Sequence, residues 1–142
     1  MIFDRQDSPN RIPSWVAELN YTSEVKGRFS IVSKKDEKLV ATIEADRDFM
    51  ITHNFGAFED GDDMIVLDAI TWDSADAYKK YTYIEEMLHG EIPEDQTNNI
   101  TRFIIHLDTE TVDMELLHEQ DKDTWIEFCQ INWKYAEKQK YR

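Results

Sequence analysis

The sequence predicts an all-β fold with one helical insertion, and three observations carry that prediction. Short β-rich runs recur in pairs, polar turn-forming links join the members of each pair, and a single segment switches to helical spacing. Successive hairpins of this kind suit one or two blades of a β-propeller, and a β-sandwich would give the same pattern. No internal repeat separates the two readings.

The elements follow in order. Met1 to Asn20 contains Pro9 and Pro13 and reads as loop, with at most a helical turn at Ser14–Leu19. Arg28–Val32 and Leu39–Ile43, joined by the polar Ser33–Lys38, form a first hairpin. The central stretch runs from Asp48 to Trp72, two strand-like runs around the acidic link Glu59–Asp63, whose Asp60-Gly61 step is a strong hairpin signal. Strict alternation in its first run would put Phe49, Ile51, His53 and Phe55 on one face, an imidazole among apolar side chains. The return run Met64–Ile70 is nearly all apolar, as in a strand buried on both faces. The acidic link lacks the spaced oxygen ligands of a calcium loop and reads as a solvated hairpin tip.

Ser74 can cap a helix that runs to His89, with Gly90 as its stop and Pro93 beyond, and Ala77, Tyr81, Ile84 and Leu88 make one stripe. Glu91 to Asn99 reads as a polar connector. Thr101–Leu107 and Val112–His118 form a third hairpin, in which Val112, Met114 and Leu116 should be dry and Asp113 and Glu115 wet. Trp125–Asn132 is strand-like and leads into a basic, aromatic tail.

Composition narrows the function classes. At 142 residues the chain can bury one ordinary core, which sets a ceiling of one domain. A formal charge of -14 repels phosphate backbones and anionic membrane surfaces, so nucleic-acid binding is disfavoured. Cys129 is the only cysteine, which excludes an internal disulfide and suits a reducing compartment. No long apolar run and no signal-peptide pattern is present, so the expected location is the cytoplasm.

Taken alone, His53 reads more readily as a hydrogen-bonded core histidine than as a metal ligand. His89 suits a helix end, and His106 and His118 suit structural strand positions. A site built from His53, His106 and His118 would need a convergence that their spacing does not show. Cys129 has neither a CxxC partner nor a neighbouring histidine to activate it, and reads as a small buried residue.

His53-Asn54-Phe55-Gly56-Ala57-Phe58-Glu59-Asp60, followed by a short loop and Ile65-Val66-Leu67-Asp68, resembles the histidine motif of the carotenoid cleavage oxygenases. That family includes beta-carotene oxygenases and a retinoid isomerohydrolase. Three further stretches resemble family segments in the right order: Arg28–Val32, Thr101–Leu107, and Glu127–Trp133 with Lys138–Arg142 behind it. Gly56 departs from the family's usual Asn, and Cys129 and His106 stand where the family has Pro.

The resemblance implies blades of a seven-bladed propeller whose axis carries one non-haem iron(II) on four histidines, with outer glutamates orienting three of them. By that likeness His53 is an iron ligand and Glu127 is the outer carboxylate that takes a hydrogen bond from its other nitrogen. The implied activity is oxidative cleavage of a conjugated double bond in a carotenoid or apocarotenoid by dioxygen. Retinoid isomerohydrolysis and a catalytically inactive β-rich remnant or binding domain are the alternatives. The other three ligands have no match here, so residues 1–142 are expected to be an internal slice of such a propeller, inactive by themselves. Peripheral membrane contact is expected only from other parts of the complete protein.

Overall fold

A computed structural model describes residues 26–73, 98–118, 126–132 and 134 of the chain. They contain six strands: β1 (Arg28–Ser33), β2 (Lys38–Glu44), β3 (Met50–Glu59), β4 (Met64–Trp72), β5 (Asn98–His106) and β6 (Thr111–His118). The three sequence-predicted hairpins are therefore present. The helix expected over Ser74–His89 lies outside the described residues, as do the N-terminal loop and the tail from Lys138. No helix among the described residues is long and apolar enough to cross a membrane.

All pairing is antiparallel: β1 with β2 in one sheet, and β3-β4-β5-β6 in a second. A four-stranded antiparallel sheet with its strands in chain order is the unit from which a propeller blade is made. The turns follow local chemistry. Gly61 takes φ 82 at the acidic tip, a left-handed conformation that costs glycine nothing. The links Lys34–Glu37 and Leu107–Glu110 each end on a left-handed residue, Glu37 at φ 53 and Glu110 at φ 54, as a type I turn closed by an αL residue requires.

Cross-strand partners share a face, so the register sorts every side chain of the larger sheet. One face holds Ile65, Leu67 and Ala69 of β4 and Phe103 and Ile105 of β5, with Val112 and Met114 of β6. The β1–β2 hairpin lies against it, bringing Phe29, Ile31, Ala41 and Ile43 into the same apolar cluster. The Phe29, Phe49 and Phe103 rings meet at its centre, with centroids 4.9 to 5.6 Å apart. The Phe49 ring also lies on Gly27, where an added Cβ would overlap it. We call this the core face.

The opposite face carries Val66, Asp68, Ile70 and Trp72 of β4, all buried, so β4 is covered on both sides as its apolar run predicts. We call it the far face. In β6, Val112 is buried and Met114 half-buried as expected, whereas Leu116 is 52% exposed. The ladder is irregular just there, between Ile100 and Thr101 of β5.

Three expectations are corrected. β5 starts at Asn98, so the predicted polar connector ends before it, and Asn98 and Asn99 are buried. Ile126–Asn132 forms no strand. Finally, Phe49, Ile51, His53 and Phe55 do not share a face, because β3 is bulged twice. Ile51 pairs with Thr71 and His53 with Ile70, which leaves Thr52 as an extra residue, and Phe55 is extra between Asn54 and Gly56. Each bulge resets the alternation.

Candidate metal-ligand site

The first bulge decides where the imidazole goes. Unbroken alternation from Ile51, which packs in the core cluster, would carry His53 into the same apolar layer. The extra Thr52 turns His53 onto the far face, opposite Ile70. Its side chain remains 41% exposed there. A bulge beside a functional side chain commonly serves to re-aim it.

Glu127 arrives at the same spot from a distant part of the sequence. Its Oε2 lies 3.2 Å from His53 Nε2. That oxygen is itself buried and has no fully aligned hydrogen bond, so distance is satisfied but orientation is not. The second carboxylate oxygen, Oε1, accepts from the Thr52 hydroxyl and the Asn98 amide, each at 3.4 Å. The bulge residue thus contributes twice, by turning His53 and by touching the carboxylate that faces it.

The segment carrying Glu127 is held by Asn98, the first residue of β5. The Asn98 amide donates to the Ile126 carbonyl at 2.5 Å and its Oδ1 accepts from the Ile126 N–H at 3.3 Å. A primary amide can satisfy both backbone groups of one residue in this way, leaving neither exposed to the buried environment. Consequently Ile126 has no backbone group left for a strand ladder. Two residues on, Phe128 has φ 54, which also breaks the pleat. These two features explain why a run rich in β-forming residues is not a strand.

Phe128 completes the surroundings of His53, with its ring centroid 4.7 Å from the imidazole and a tilt of 42°. Cys129 follows, a free and only partly buried thiol, where the sequence suggested a buried one. Burial, and secondarily the nearby Glu127 charge, push its pKa up.

The other histidines stand apart. His106 lies on the far face with Arg102 and Ile104, and its Nε2 is 3.0 Å from Asp113 Oδ2. His118 closes β6, and His89 lies outside the described residues. Arg102 forms a two-pronged pair with Asp68, both contacts at 2.8 Å, and the Asp68 side chain is only 3% exposed. Among the described residues, no three His, Cys, Asp or Glu side chains converge as a metal would require.

The residues fit a metal in a limited sense. His53 with a buried carboxylate oxygen at one ring nitrogen has the arrangement of a ligating imidazole and its orienting partner, leaving the other nitrogen to coordinate. One imidazole and its outer carboxylate make one arm of a site. The sequence singled out His53 and Glu127, and the structure brings these two together. Thr52, Asn98 and Phe128 were not anticipated. A polar residue at a strand start was the only signal for Asn98, and the bulge left none.

No curated protein matches the chain as a relative. The family model for retinal pigment epithelial membrane protein matches residues 3–142, a span that contains all of the motif segments and every residue of the site. The chain belongs to that family, the carotenoid cleavage oxygenases.

Proposed function

We propose that this chain supplies one iron(II) ligand, His53, and its orienting carboxylate, Glu127, to a dioxygenase that cleaves a conjugated double bond of a carotenoid or apocarotenoid. The family is one of enzymes and generally iron-dependent. The observation that carries the reading is the Thr52 bulge, which turns His53 out of the apolar core to within 3.2 Å of Glu127. A histidine needed only for packing would not require that bulge or a carboxylate oxygen buried beside it.

Iron(II) held on imidazoles would supply activation of dioxygen for cleavage to two carbonyl products. The chain's own residues do the rest of the local work. Glu127 fixes the tautomer of His53 by taking a proton-bearing nitrogen as its partner, and raises the donor strength of the other. Thr52 and Asn98 hold Glu127 Oε1, so the carboxylate presents Oε2 to the ring. Substrate and dioxygen are the proposed partners, and a cytoplasmic protein with peripheral membrane contact is the setting we propose.

The donor count supports a second reading for these 142 residues by themselves, that of an inactive binding or structural portion. One imidazole does not hold iron against water and competing chelators. The second reading predicts that the 142-residue chain alone binds no iron in metal analysis, and the first is tested in a polypeptide that carries all of the iron ligands, by measuring bound iron and the loss of polyene absorbance. His53→Ala is expected to abolish both, and Glu127→Gln to lower iron affinity by about 10- to 100-fold. Full iron occupancy and turnover in His53→Ala would overturn the proposal.

A further inference from the structure

Three non-glycine residues among those described have left-handed backbones: Glu37, Glu110 and Phe128. The first two close hairpin turns, where the conformation is part of the turn. Phe128 sits in no hairpin, and a bulky side chain at positive φ is a true outlier that persists only when its surroundings enforce it. Its side chain gains little from burial either, since the residue is 74% exposed. An exposed phenylalanine in a strained backbone has two costs and little burial to offset them. Strain of this sort, when observed, is a pointer to function.

What the conformation achieves is visible in its neighbours. Asn98 pins Ile126 through both backbone groups, Glu127 then faces one edge of His53, and the left-handed turn at the next residue brings the Phe128 ring back over the imidazole. In an extended backbone, successive side chains point to opposite sides, so Glu127 and Phe128 could not both reach the same ring. The positive φ allows adjacent residues to contact one imidazole, Glu127 at Nε2 and Phe128 through a tilted ring contact.

We infer that Phe128 is a positioning residue for His53: its strained backbone holds an aromatic ring against the imidazole and fixes the ring orientation in which Glu127 meets Nε2. This rests on the reading of His53 as a ligand, yet it concerns the metal-free chain and can be tested there. Rotation of a half-exposed imidazole would otherwise move its nitrogens away from the carboxylate, and an aromatic contact worth roughly one tenfold in population is enough to oppose it.

The test is NMR of the full 142-residue chain without metal, following the His53 ring protons and the ring nitrogen shifts that report the tautomer. In the unsubstituted chain the protons should be displaced by the Phe128 ring current and one tautomer should dominate. Phe128→Leu, which keeps a large apolar side chain without the ring current, should return the protons to free-histidine positions and mix the tautomers. Phe128→Tyr should restore both. Phe128→Gly, which relieves the backbone strain but has no ring, should show the same loss at His53. Unchanged His53 proton shifts and tautomer in Phe128→Leu would overturn the inference. That result does not bear on whether His53 binds iron, which the His53→Ala experiment decides separately.

Discussion

The core face and the far face of the β3–β6 sheet use the same strands for opposite purposes. On the core face, phenylalanines and branched aliphatics from both sheets meet, and the buried Thr71 and Thr101 hydroxyls satisfy each other. On the far face, the same strands present Asp68, Arg102, His53 and Asn98, each with a named polar contact. What sends His53 to the far face is one extra residue, Thr52. A fold can therefore move a chemically useful group out of an apolar cluster to a carboxylate partner without changing its neighbours in sequence.

Substitutions on each face should fail for different reasons. The largest loss is expected on the core face, where Phe103→Ala removes the fully buried ring that touches both Phe29 and Phe49. It should cost about 3–5 kcal/mol, measured by denaturant unfolding. On the far face, Arg102→Met should cost about 3 kcal/mol, because the buried Asp68 carboxylate loses its two-pronged partner. The double variant Asp68→Leu with Arg102→Met should regain much of that loss, whereas no second apolar substitution should rescue Phe103→Ala. If the two behave alike, the distinction between the faces is wrong.

Smaller effects sharpen the same contrast. Gly27→Ala should lower stability by about 1–3 kcal/mol, since the new Cβ overlaps the Phe49 ring and the core must shift to admit it. Near the site, the Cys129 thiol is held protonated by burial and by Glu127. Its folded pKa lies above the unfolded one, so its contribution to stability is present at low pH and fades as pH rises through the thiol range. Alkylation at mildly alkaline pH should accordingly be slower than for a cysteine in an unstructured peptide, and Glu127→Gln should speed it.

The hairpins were legible in the sequence because their signals are local: alternation within a run and turn residues between runs. The burial of β4 on both faces was legible in Met64–Ile70 for the same reason. The position of His53 was not, because a bulge is a property of pairing with β4 and leaves the β3 residues looking like an unbroken strand. Glu127 was found through family likeness alone. Asn98 joins it across 28 residues of sequence to Ile126, and no periodicity encodes such a contact. The strand expected at Trp125–Asn132 failed because the side-chain amide of Asn98 and the left-handed Phe128 outweigh β propensity in Ile126–Asn132.

The Thr52 bulge takes His53 out of the apolar core and delivers it to Glu127 and Phe128. The most direct measurement is the set of nuclear Overhauser contacts from the His53 ring protons in the folded chain. Contacts to the Phe128 ring and none to Phe29 or Phe103 are expected. Contacts to Phe29 or Phe103 would place the imidazole in the core layer, and the account of the site would be wrong.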